Sequence, residues 1–293
     1  MKKIEYIERE SSEIKIEKPP GEFYLKFLYH NPLGSLPLHM LVKRKFLSSF
    51  YGHLMSRSSS KKNIAPFVEQ YNIDMTEVLQ PIDEFNSFND FFIRKLKPSA
   101  RRIQSGIVSP ADGKVLAFQN LDEISEFFVK GSKFTLAKFL GSEKLAEKHR
   151  NAAIFIIRLA PNDYHRFHFP YSGKASAAKR IRGCYYSVSP YAVNPNFARA
   201  FCENKREYCL LETDDKGTML VCPVGATMIG NIVETYTPEN HVNKGDEMGY
   251  FGFGGSSVAL IIDSDKVEIA ADILKNTKDG LETTIRMGEI IGR

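Results

Sequence analysis

KGDEMGYFGFGGSSVALII, residues 244–262, runs from closely spaced glycines through two serines into an apolar segment. Val258, Ala259, Leu260, Ile261 and Ile262 follow the turn residues without interruption and predict a buried strand. Two glycines and a serine directly before it place a hydroxyl at a sharply bent backbone. Gly255 has no Cβ to shield its carbonyl from the next side chain, which is the geometry an internal N-to-O acyl shift requires. The same letters also suit an ordinary tight connection, because glycine and serine dominate turns.

Outward from this stretch, the chain after Lys97 and Pro98 carries short β-like runs at 113–116, 153–159, 219–222, 229–234, 258–262 and 267–270, separated by Gly, Pro, Asp and Asn. Helical spacing is expected at 135–139 and 143–149, with a helical turn at 194–201. The class is therefore α+β, a helical N-terminal arm followed by a β-rich core. Residues 1–20 alternate at Ile4, Tyr6, Ile14 and Ile16 and stop at Pro19 and Pro20, which predicts a peripheral hairpin-like lead-in. Domain bounds of 1–62 for lead-in and arm and 63–293 for the core follow, with 56–62 (SRSSSKK) as a linker into a helical stretch ending near Leu96.

With 43% hydrophobic and 12% aromatic residues in 293, an ordinary packed core is available. Cys184, Cys202, Cys209 and Cys222 form no CxxC pair, so neither a zinc ribbon nor a disulfide framework is indicated, and a reducing compartment fits. The opening MKKIEYIERE lacks the apolar h-region of a secretory signal. The longest apolar candidate, 219–233, contains Pro223, Gly225 and Gly230 and falls short of the roughly 20 residues that a membrane-spanning helix needs.

The net charge of +5 is local. Residues 21–62 carry seven basic side chains (Lys26, Lys43, Arg44, Lys45, Arg57, Lys61 and Lys62) against Glu22, whereas 63–293 carry 28 against 29. Nucleic-acid binding does not fit this distribution. Apolar clusters flank the lysines, as in Phe23, Tyr24, Leu25 and Phe46, Leu47, Phe50. Such a segment reads as a helical arm packed on the core with solvated lysines and, compatibly with that, as an interfacial anchor for an anionic bilayer, worth about 1 kcal/mol per basic residue.

Two further segments could carry chemistry. In PNDYHRFHFP, residues 161–170, His165 and His168 stand three apart beside Asp163 at the end of a predicted strand, which concentrates bases that exchange protons near neutral pH. Hydrogen bonding at a strand end is the plain alternative, and Asp163, His165 and His168 as metal ligands a weaker third; no metal is expected. In SPADGKV, residues 109–115, Asp112 is either a turn residue or the carboxylate that orients an imidazole.

Taken in order, PADG, DYHRFH, VGATMIG (residues 224–230) and KGDEMGYFGFGGSS, with FNDFFIRKLKPSARR (residues 88–102) ahead of them, resemble the phosphatidylserine decarboxylase proenzyme family over roughly residues 20–290. Here Ser257 stands where many members have threonine, and Gly254 precedes Gly255 where some have leucine. The resemblance implies self-cleavage between Gly255 and Ser256 into a beta chain, 1–255, and an alpha chain, 256–293, that remain paired. It makes Ser256 the precursor of a pyruvoyl cofactor, Ser256, His168 and Asp112 the processing triad with His168 as base, and His165 and Asp163 the residues of substrate handling or proton transfer. The expected reaction converts phosphatidylserine to phosphatidylethanolamine and carbon dioxide through a Schiff base, in phospholipid biosynthesis. The basic arm would then face an anionic membrane surface, as a peripheral protein on the cytoplasmic face of the cell membrane; a homodimer is compatible, and no nucleic-acid partner is expected. The alternatives are a soluble pyruvoyl decarboxylase of free amino acids, a non-catalytic lipid-binding protein and an uncut serine hydrolase.

Overall fold

A computed structural model describes residues 4–17, 52–121, 123–124, 134–184, 201–226, 232–252, 254 and 256–293. Its first strands are β1 (Glu5–Ile7), β2 (Ile14–Ile16), β3 (Ile107–Val108), β4 (Gly113–Phe118), β5 (Ala152–Leu159) and β6 (Arg166–His168). They are followed by β7 (Gly173–Ala175), β8 (Lys179–Ile181), β9 (Arg206–Glu212), β10 (Thr218–Gly225) and β11 (Ile232–Glu234). The last are β12 (His241–Val242), β13 (Glu247–Phe251), β14 (Ser256–Asp263), β15 (Glu282–Ile285) and β16 (Ile290–Gly292). Helices α1 (Ile64–Tyr71), α2 (Phe88–Phe92), α3 (Leu136–Leu140), α4 (Glu143–Lys148) and α5 (Ala271–Lys278) pack around them. The class is α+β, as the sequence predicts, while the proposed arm lies largely within 18–51, outside the described residues.

Eleven strands make one sheet, in the order β12-β7-β9-β10-β14-β5-β4-β15-β1-β2 with β8 joined to β9. The strand predicted from the opening motif sits in its interior: Val258 on β14 lies opposite Ile157 on β5 and Pro223 on β10. Successive side chains of a strand point to opposite faces, and here both faces are covered. Val115, Ile157, Val221, Val258 and Leu260 enter one core with Phe167, Met248 and Phe251. Leu116, Ile156, Leu220, Ala259 and Ile261 enter the other, closed by Leu136, Phe139 and Leu140 of α3. Double coverage is why these strands read as unbroken apolar runs instead of alternating ones. Each fully buried Val, Leu, Ile or Phe contributes about 1.5–3 kcal/mol, so the two cores and not local propensity hold β14 in place. Over the first core lies a second sheet, β11-β13-β6.

A third cluster, built from Ile64, Val78, Phe85, Phe88, Phe91 and Phe92, joins α1 and α2. Helix α2 begins where the Ser87 hydroxyl accepts a hydrogen bond from Asp90 N at 3.1 Å. The stretch expected as a linker is a 3-10 turn, Ser58–Asn63, whose buried Ser60 accepts from Phe88 N at 2.9 Å. A hydroxyl built into this cluster makes the segment part of the core instead of a spacer.

Other expectations are corrected. The lead-in is a hairpin at the sheet's edge, with Ile14 and Ile16 exposed, but it is tied into the sheet: β1 pairs in parallel with β15, and Glu17 is clamped by Arg158 at 2.6 Å. Burial would raise the Glu17 carboxyl, but the Arg158 charge and hydrogen bonds outweigh it and hold it at about 2. Residues 267–270 form a single bridge, Ile269 to Gly292, rather than a strand. Strand β9 was not predicted, because Arg206 and Glu207 open it with charge although both are buried. Helices α3 and α4 stand where expected, and the turn at 194–201 falls outside the described residues except for Phe201.

Glu207 on β9 faces Glu234 on β11, and the buried Glu207 carboxyl holds its proton up to about 8, through burial first and then Glu234, with Arg180 opposing. A carboxyl whose folded value exceeds the unfolded 4.5 contributes stability that is complete below that value and is lost as pH rises toward 8. Glu207→Gln should therefore raise the melting temperature over the parent by an increment that grows across that window. A melting series against pH in which the increment stays flat would contradict this pairing.

Candidate active site

Backbone hydrogen bonds bring three distant sequence motifs together. His168 N donates to Pro110 O at 2.7 Å, so the PADG turn lies along β6, and Phe251 N donates to His165 O at 2.9 Å, which ties the end of β13 to the same segment. Gly113 allows the turn its approach: at φ +153° it passes so close to β5 that a Cβ would run into the Arg158 carbonyl oxygen.

Ser256 is the first residue of β14, paired with Leu159 on β5 and Gly225 on β10. VGATMIG thus reaches the site through Gly225, whose carbonyl accepts from Asn204 Nδ2 at 2.8 Å. Ser256 shares the face of Val258 and Leu260, toward the second sheet, by strand alternation. It is fully buried, and its Oγ has no hydrogen-bond partner among the described residues. Gly254 precedes it at φ +143°, a conformation that glycine supplies at little cost.

His165 is also fully buried. Its Nδ1 lies 2.8 Å from the Asp163 carbonyl, which can only accept, so Nδ1 carries the proton and Nε2 keeps its lone pair. Nε2 has no hydrogen-bond partner among the described residues, while the Gly254 backbone lies near enough to favour the charged ring. Burial first, with the Arg94 charge assisting, nevertheless lowers this imidazole to about 3, so it is neutral near pH 7. The ring of Phe92 lies against it, centroids 3.9 Å apart.

His168 has both nitrogens engaged: Nδ1 donates to Gly245 O at 2.9 Å, and Nε2 lies 3.2 Å from the Tyr164 hydroxyl. Burial lowers its basicity, against which the Gly245 carbonyl and the charges of Glu247 and Asp112 act. Asp112 is gripped by Arg101 through Nε at 3.0 Å and Nη2 at 2.6 Å, and accepts from Met287 N at 2.8 Å. Against the desolvation of Arg101, these bonds and the Asp112 charge raise that guanidinium further. Ser256, His168 and Asp112 are therefore neighbours by segment but make no hydrogen bonds to one another among the described residues.

The phosphatidylserine decarboxylase family model matches residues 88–293. A protein of Fusobacterium nucleatum subsp. nucleatum is 54% identical over 293 residues, covering 99% of this chain and 97% of its own. Proteins of Clostridium perfringens and Desulfitobacterium hafniense (strain Y51) are each 42% identical over 292 residues, covering 99% of this chain and 99% and 98% of theirs. All three are named phosphatidylserine decarboxylase proenzyme. This chain belongs to the phosphatidylserine decarboxylase family. As a family member it is an enzyme, a decarboxylase made as a proenzyme.

Within that family frame, Gly255 lies outside the described residues and Ser256 stands at a strand end, as the motif implies. Asp163 does not join the histidines through its carboxylate, whose Oδ2 accepts from Ala160 N at 2.7 Å, and burial raises its pKa. No group of three His, Cys, Asp or Glu side chains placed to hold a metal ion occurs among the described residues. A cleft of about 440 Å³ is lined by Arg94, Arg101, Asp112, Lys114, Asp163 and Tyr164 among others, and Ser256 does not line it. Arg101, Tyr164, Phe92 and Arg94 carry no local signal of their contacts. The one hint is an arginine inside the apolar run FFIRKL.

Proposed function

We propose that this chain cuts itself between Gly255 and Ser256, makes its pyruvoyl cofactor from Ser256, and converts phosphatidylserine to phosphatidylethanolamine and carbon dioxide. The observation that carries this reading is the Ser256 hydroxyl, buried and unpartnered among the described residues at the strand end behind Gly254. Leaving such a group unpaired costs about 1–3 kcal/mol, a cost that fits a nucleophile kept free for one attack.

In that attack Ser256 Oγ bonds to the Gly255 carbonyl carbon, the peptide C–N bond breaks, and the nitrogen takes up the hydroxyl proton. A base removes the α-proton of Ser256, the freed electrons form a Cα=Cβ bond, and Gly255 leaves as a carboxylate. The enamine tautomerises and adds water, releasing ammonia and leaving a ketone at residue 256. That ketone supplies the electron sink that decarboxylation beside an amine needs and that no side chain offers.

His168 serves as the processing base: burial lowers its basicity, the Gly245 carbonyl and the charges of Glu247 and Asp112 act against that, and Nε2, which faces the Tyr164 hydroxyl, is the nitrogen that takes the proton. His165, whose Nε2 has no hydrogen-bond partner among the described residues, and Asp163 serve substrate handling and proton transfer. The two chains stay paired after cutting, because β14 in the smaller chain is hydrogen bonded along its length to β5 and β10 in the larger. Residues 1–62 supply the lead-in and the basic arm and 63–293 the catalytic core. The arm holds the enzyme to the anionic, cytoplasmic face of the membrane.

Intact-mass measurement of the active protein should find a chain ending at Gly255 and a second, residues 256–293, lighter by one ammonia than its encoded peptide. A single continuous chain in active material would reject the proposal. In the same preparation, binding to phosphatidylserine vesicles should weaken as salt rises, and weaken further when Lys43, Arg44 and Lys45 are replaced by glutamate. Equal binding by that variant would assign the arm a purely structural role.

A further inference from the structure

Three consecutive residues at the end of α2 each bind the segment that presents His165. Phe92, fully buried, lays its ring against the imidazole at 3.9 Å between centroids and 37° between planes. Ile93 offers its carbonyl to Arg166 Nε at 2.9 Å. Arg94 Nη2 donates to the carbonyls of Asn162 at 3.0 Å and Asp163 at 3.2 Å. The Asp163 carbonyl is the atom that also receives the His165 Nδ1 proton, so a single oxygen is shared by the guanidinium and the imidazole.

Resting on the function proposed above, we infer that Phe92 and Arg94 are positioning residues that hold the His165 ring in one orientation and one tautomer, with Nδ1 on Asp163 and Nε2 left for the substrate. The physical basis is a division of labour. A flat aromatic face removes the ring's freedom to tilt. A cation fixed on the Asp163 carbonyl sets the angle of the turn that receives Nδ1, and its charge opposes protonation of the ring beside it. Arg94 is itself anchored, with its guanidinium carbon 5.0 Å from the Phe91 centroid. It is buried, and its Nε and Nη1 have no hydrogen-bond partner among the described residues. A buried arginine committed by one nitrogen to two carbonyls of a single turn is an expensive way to brace a loop. It is explained if the loop's geometry matters to about half an ångström, as a proton-transfer group requires. The charge that acts on the ring is that of Arg94 from α2; on the ring's own segment the Asp163 carboxyl accepts from Ala160 N at 2.7 Å, and Arg166 Nη1 pairs with Glu247 at 2.8 Å.

The test uses the full-length, self-processed protein with histidine-selective ¹⁵N labelling, the His165 signals being assigned by their loss in His165→Gln. The parent should show one neutral tautomer with the proton on Nδ1. Arg94→Gln and Phe92→Leu should each yield mixed tautomers, still form both fragments, and lower kcat for phosphatidylserine by about tenfold to a hundredfold with KM changed less than about twofold. Arg94→Lys, which restores the charge, should recover part of kcat. If Arg94→Gln does not fold, Phe92→Leu carries the same readouts. An unchanged tautomer and unchanged kcat in a folded variant overturn the clamp. The tautomer signal does not depend on turnover, so a parent that is uncut and inactive would sink the proposed function while leaving the clamp to be decided by NMR.

Discussion

Replacing Ser256 with alanine leaves one uncut polypeptide and takes decarboxylation to the uncatalysed background, a loss of at least about 10⁶-fold if the enzyme accelerates as enzymes ordinarily do. In the proposed processing Ser256 Oγ makes the first bond, and Ser257 is not placed to substitute: its buried hydroxyl also has no partner among the described residues, but strand alternation turns it to the opposite face of β14. The loss is separable from misfolding. The hydroxyl has no hydrogen-bond partner among the described residues, so its removal relieves a desolvation cost and breaks no bond. The variant should melt no lower than another uncut precursor, measured by calorimetry, while denaturing gels show a single band. Two normal fragments from Ser256→Ala would end the assignment outright.

Separating the histidines should give the second large effect. His168→Ala is expected to remain uncut, because it removes the proposed base together with the ring that Tyr164 and Gly245 hold. His165→Ala is expected to cut normally yet lose about 10²–10⁴ in kcat, the range for a proton-transfer group. A second assignment, His165 as the processing base, has one observation in its favour: its ring lies beside the Gly254 backbone with Nε2 free of partners among the described residues, whereas His168 is engaged at both nitrogens. Gel analysis of the two variants decides between them, since the second assignment predicts an uncut His165→Ala and a cut His168→Ala.

Strands β5, β10 and β14 were legible because their apolar runs are local and bounded by turn residues. Strand β9 was not, since Arg206 is buried by donating to the Phe139 and Lys138 carbonyls of α3, partners far away in sequence. The lead-in was legible as a hairpin but not as part of the sheet: Arg158, which holds Glu17 and also binds Glu282, lies 141 residues along the chain from Glu17. In the site, the Gly-Ser junction and the paired histidines announce themselves by residue type and spacing. The grip of Arg101 on Asp112 and the contact of Phe92 with His165 do not.

The sequence by itself singled out the proposed nucleophile and the histidines and carboxylate proposed to serve it, and determined the strand that carries Ser256, because turn chemistry and strand burial are written in adjacent residues. Only the tertiary structure decided how the nitrogens of the two histidines are engaged, what holds Asp112, and which side chains brace the site. Those outcomes depend on hydrogen bonds and ring contacts across two packed sheets and a helical cluster, where desolvation and distance, not spacing along the chain, set the result.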